Sequence, residues 1–68
     1  MIAIIKKYGR WNEASNWQLE SRTEKEMPQE AYSNFVEFAG FKYSKRYNEH
    51  YIVSEDKLKM TVVTVKQE

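Results

Sequence analysis

Cysteine is absent from this chain of 68 residues, and there is one histidine, one aspartate, one proline and two glycines. Each scarcity excludes something. Without cysteine there is no disulfide framework and no thiolate metal site, which fits a cytoplasmic chain at least as well as a secreted one. With a single histidine, His50, a nucleophile, base and orienting group would have to be assembled on it with Ser44 or Ser54, and no nucleophile-elbow sequence surrounds either serine. Metal binding is equally ill supplied, because Glu49 and His50 are neighbours in an expected strand and so point to opposite faces. No metal or cofactor is expected. Gly9 and Gly40 are too few and too far apart for a phosphate-cradling loop, which argues against nucleotide hydrolysis. Long apolar runs are missing too. Met1 to Ile5 is too short for a signal sequence and meets Lys6 and Lys7 at once, and no stretch could cross a bilayer.

What is present is charge, nearly balanced, and aromatic residues. Eleven basic residues face ten acidic ones, so bulk charge selects neither a polyanion partner nor mimicry of one. The distribution is uneven. Residues 1–11 carry a net +3, residues 12–37 a net −4, residues 38–48 a net +3 and residues 49–68 a net −1. Repeats, low-complexity tracts and linkers are lacking, so residues 1–68 are expected to form one compact domain. A domain this small buries only about 60% of the surface its unfolded chain exposes. With disulfides excluded and metals disfavoured, a homodimer is the remaining route to added stability.

The helical period is confined to Met27–Gly40. Ala31, Tyr32, Phe35, Val36 and Ala39 recur at spacings of three and four, Pro28 suits the first helical position, and Gly40 supplies the stop. One helix with one apolar stripe needs a sheet to cover. Met1–Tyr8 reads as a central strand, apolar on both faces, and Trp17–Arg22 as a second strand, followed by a polar run, Thr23–Glu26, leading into the helix. Beyond Gly40 the odd positions Phe41, Tyr43, Tyr47, Tyr51 and Val53 alternate with polar even ones. That pattern suits one long strand broken by a bulge or two short strands turning at Tyr47–His50, and the preferred assignment is an irregular opening followed by a strand over about Arg46–Val53. Ser54–Lys57 is a turn. Leu58–Lys66, rich in β-branched residues, should be paired on both sides or covered. The expected fold is α+β: a two-layer ββαββ domain, one helix on an antiparallel sheet of four strands, or five if the 41–53 stretch divides. Its core is expected to hold Ile2, Ile4, Leu19, Tyr32, Phe35, Val36, Tyr51, Val53, Leu58, Met60 and Val62.

Three functions compete. Trp11, beside Arg10 in the longest loop, belongs to the residue types that dominate interface hot spots, and the chain has more rings than one short helix can cover. This favours a non-enzymatic protein-interaction module, working by steric occlusion through the Arg10–Trp11 loop and an exposed sheet face with Lys42, Arg46, Tyr47 and His50. Bases interleaved with aromatics at Lys6–Trp11 and Phe41–Tyr47 suit single-stranded nucleic acid, whose bases stack on rings while cations follow the backbone. A small metal-free ribonuclease would need Lys42, Arg46 and His50 on one strand face with Tyr51 nearby. The plain alternatives are an ordinary solvated strand face and rings spent on the core.

No motif carries a family signature. In size, lysine-over-arginine usage and lack of catalytic residues, the chain resembles the compact accessory and inhibitor proteins of phages and other bacterial mobile elements, anti-CRISPR proteins among them. The resemblance covers general character and no particular residues. It implies a stoichiometric inhibitor of a host protein.

Overall fold

The computed structural model describes residues 1–66. Among them the elements run β1 (Ile2–Gly9), β2 (Gln18–Glu26), α1 (Gln29–Phe38), β3 (Lys42–Ser44), β4 (Glu49–Val53) and β5 (Lys59–Lys66). The strands form one antiparallel sheet in the order β2-β1-β5-β4-β3. The class is α+β as expected, but the order is ββαβββ with five strands. The preferred single strand over Arg46–Val53 is not formed. Residues 45–48 turn instead, with Asn48 at φ 53°, a left-handed conformation that asparagine tolerates better than most residues.

Both central strands are where their composition put them. β1 lies between β2 and β5, and β5 between β1 and β4, so Val62 and Val63 are paired on both sides, while Thr64 and Val65 pair with β1 alone. β2 outlasts the expected Arg22 end and pairs as far as Glu26 with Ile2. Its polarity on both faces is that of an edge strand, where alternating Glu24, Lys25 and Glu26 also discourage further pairing. Between Lys7 and Tyr8 the register slips past Glu20. That extra residue reaches over Gly9 to place both carboxylate oxygens 2.9 and 3.0 Å from Lys59 Nζ, occupying the space that a Cβ on residue 9 would take.

α1 links the two edge strands. Its ten residues make about 15 Å of helix, against roughly 19 Å across five strands, so helix and flanks together span the sheet. Pro28 is not the first helical residue, as expected, but the cap before it, held extended at φ −65° and ψ 154°. At the other end Gly40 takes φ +79°, and the Gly40 and Phe41 amides donate to the Glu37 and Val36 carbonyls, so the helix stops where glycine allows the reversal.

The helix covers the face of Ala3, Ile5, Val63 and Val65. Tyr32 packs there with Ala3 and Val63, and Met1, Met27, Val36 and Phe41 close around them. Of the expected core, Tyr32 and Val36 pack under the helix and Val62 is buried at 5% exposure, but register sets Val62 with Ile2, Ile4, Tyr51 and Met60 on the opposite face. Leu19, Phe35 and Val53 are exposed. β1 is apolar on both faces, so alternation could not say which one the helix takes.

Candidate functional site

The uncovered face of the sheet is ordered by register. Across its middle Arg22, Lys6, Val62, Tyr51 and Lys42 face one another on successive strands. Toward one end lie Leu19, Tyr8, Met60 and Val53, and toward the other Glu24, Ile4 and Thr64, with the Glu49–Ser44 pair on the outer strands. An apolar centre is therefore framed by charge. Rising from that centre, Trp17 from the β1–β2 loop and Tyr47 from the β3–β4 turn wall a groove of about 380 Å³. Its floor is Tyr51, Met60 and Val62, and Ser44 and Glu49 supply its polar rim.

Both walls are braced. The Arg10 guanidinium lies 4.1 Å from the Trp17 ring centroid, while Arg10 Nε donates to the Lys57 carbonyl at 2.8 Å and the Arg10 amide to the Leu58 carbonyl at 3.0 Å. Arg10 thus ties the β1–β2 loop to the β4–β5 turn. Arg46 stacks 5.3 Å from the Tyr47 centroid. Trp11, next in sequence to Arg10, is 83% exposed. The loop behind it is ordered, since the Ala14 amide donates to Asn12 Oδ1 and the Ser15 and Asn12 backbones are joined at 3.0 Å.

The six residues singled out from the sequence divide. Lys42 and Tyr47 belong to the open face and Arg46 backs it, Trp11 stands apart on its loop, Arg10 acts inward, and His50 lies on the helix side. Tyr43 pairs with His50 and Lys42 with Tyr51, so Lys42 and His50 point to opposite faces. The basic row Lys42–Arg46–His50 that a ribonuclease would need is not formed. His50 is half-buried instead, with Nδ1 3.1 Å from the Tyr32 hydroxyl and the Tyr43 ring 5.2 Å away. Burial pushes the Tyr32 phenol up, which keeps the hydroxyl neutral beside that nitrogen.

Trp17 and Glu49 are the site residues that the sequence did not single out. Trp17 reads there as the first residue of a strand, and nothing local marks it as a wall. Its position depends on Arg10, seven residues earlier. Among the described residues no group of three or more His, Cys, Asp or Glu side chains could hold a metal ion, and no helix is long and apolar enough to cross a membrane.

Compared with protein-family models, with curated proteins and with solved structures, the chain matches none of them.

Proposed function

We propose that the protein is a non-enzymatic docking module that covers part of a second protein with the open face of its sheet, the Trp11 loop adding an anchor at one end. One observation carries this: an apolar, aromatic centre rimmed by charge, over which no element folds among the described residues. That is the anatomy of a protein interface, in which Trp, Tyr, Met and Arg are enriched at the centre and charges lie at the rim. The fold measures 36 by 21 Å along its two longest axes, so one side of it approaches the ~800 Å² per partner of a standard complex. The mechanism is steric occlusion of whatever the partner must otherwise bind. This is how the small inhibitors of phages and mobile elements, anti-CRISPR proteins among them, would act on a host protein.

The test is capture of partners from a bacterial lysate with nuclease present, using the wild type and the Tyr47→Ala and Trp11→Ala variants. A stoichiometric protein that survives nuclease and is lost with Tyr47→Ala supports the docking face. Undiminished capture by both variants refutes it.

A second reading has its own observation. Arg22, Lys6 and Lys42 share one register row with Tyr51, an arrangement that suits a single strand with bases on rings and phosphates on cations. Three such contacts give a slope of about −2 in log affinity against log salt. A salt-independent or absent gel shift refutes this alternative.

A further inference from the structure

Of the acids on the open face, the least exposed is the one without a counter-ion. Glu26 Oε1 lies 3.1 Å from the N-terminal ammonium, and Glu24 lies 3.1 Å from Arg22 Nη1 and 3.7 Å from Lys66 Nζ. Both are exposed, whereas Glu49 is half-buried at the rim of the groove and forms no ion pair among the described residues. Cations are close in sequence and register, yet none of them pairs with it. Arg46 stacks on Tyr47, and Lys42 stands opposite Tyr51. A half-buried carboxylate is costly to leave without a partner, and here it lines the same groove as the Trp17 and Tyr47 rings.

We infer that this groove is a receptor for an arginine side chain of the partner protein, its guanidinium stacked between Trp17 and Tyr47 and paired with the Glu49 carboxylate. The inference rests on the docking reading and names the chemistry of the docked segment. A guanidinium is flat, weakly hydrated and forked, so it can lie against rings and give two parallel N–H donors to one carboxylate. A lysine ammonium is compact and strongly hydrated, and it gains less in a slot. The chain supplies its own precedent, since Arg10 already rests on the Trp17 ring without lining the groove. The row Arg22, Lys6 and Lys42 runs past the groove and adds a second requirement: the partner's arginine is flanked by acidic residues, which offset those cations.

The first experiment titrates the ¹⁵N-labelled protein with N-acetyl-arginine methylamide, with the matching lysine derivative and with guanosine monophosphate, following the Trp17 indole and the Glu49 amide by NMR. Saturable shifts with the arginine probe, several-fold weaker with lysine, are expected, with the Trp11 indole unmoved. Glu49→Gln, which keeps shape and removes charge, should weaken the arginine response about tenfold or more. Equal binding by Glu49→Gln, no saturation into the tens of millimolar, or tighter Glu49-dependent binding of the nucleotide overturns the inference. Capture from lysate separates the two levels. If Tyr47→Ala loses the partner and Glu49→Gln keeps it in full, docking stands and the arginine site falls. If Tyr47→Ala keeps it, docking on this face falls, and the titration alone decides the site.

Discussion

Replacing Val63 by alanine should be the most damaging single truncation of an aliphatic side chain in this protein. Val63 has 0% of its surface exposed and is the largest side chain so enclosed. It stands on β5 between Ile5 of β1 and His50 of β4, beneath Tyr32. Removing its two methyl groups forfeits about 1.6 kcal/mol of transfer energy at roughly 0.8 kcal/mol per carbon. The cavity left in a sheet held on both sides raises the loss to about 2–3 kcal/mol. For a chain of 68 residues total stability is on the order of 3–10 kcal/mol, so the variant should lose a large share of it and melt roughly 10–20 °C lower. Urea titration followed by far-UV circular dichroism, with an unchanged slope, measures the difference. Val53→Ala is the control, since Val53 is 38% exposed and its truncation should cost about 0.5 kcal/mol or less. A loss below about 1 kcal/mol for Val63→Ala, or one equal to the control, would show that the helix does not seal this face.

Tyr32→Phe deletes the hydrogen bond to His50 Nδ1 and should cost about 1 kcal/mol. Burial raises the Tyr32 phenol, so its stabilisation is complete below the ordinary value of about 10 and is lost as pH rises from there through the folded value. The wild type should therefore weaken faster than the variant in melts between those limits, and parallel curves would refute this. Gly9→Ala brings a Cβ within 2.7 Å of the Glu20 carboxyl. That group is the far end of a flexible side chain, and its exposed Lys59 pair is worth about 0–1 kcal/mol, close to the ~0.5–1 kcal/mol gained by replacing a strand glycine. A net change within about 0.5 kcal/mol is expected, and a loss above about 2 kcal/mol in chemical denaturation would mean that backbone must move. Asp56 is held below its ordinary value by the Ser54 hydroxyl and then the Leu58 amide. Its stabilisation is present above about pH 4 and lost as pH falls through the lowered value, so Asp56→Asn should flatten the acid limb of a stability profile. Identical acid limbs would remove the turn from that account.

The elements that could be read from the sequence are those whose pattern is local. The period of three and four between Tyr32 and Ala39, the stop at Gly40 and the β-branched run before Lys66 each depend on neighbours a few residues away, and each is realised. Faces are not local. The odd-numbered aromatics after Gly40 look like one row, but the turn at 45–48 pairs Tyr43 with His50 and Lys42 with Tyr51, so odd residues of β3 oppose even residues of β4. Tyr43 therefore turns toward the helix and Tyr51 away from it, and the basic row is split by the same change of parity. The helix takes the side of β1 with the small Ala3, whose complete burial no hydrophobicity pattern marks. Trp11 stands out by residue type alone, and its 83% exposure is settled by a loop that closes on itself through Asn12. Trp17 and Glu49 acquire their roles only when Arg10 and the β3–β4 turn bring distant segments over one floor.

The sheet order also governs how the protein assembles. β1 with β2 and β3 with β4 can each close as a hairpin, but two-stranded ribbons are marginal in water. What unites them is β5, whose register joins Ile2 to Lys66 and Val53 to Met60. The first of those pairings closes nearly the whole chain into a loop, a cost met before any long-range contact repays it. Folding should therefore be all-or-none and slower than for a helical domain of equal length. Until β5 is seated, the Val62–Val65 segment and the free side of β1 stand open together. In that interval, and not in the finished fold, the chain is most exposed to pairing with a neighbour.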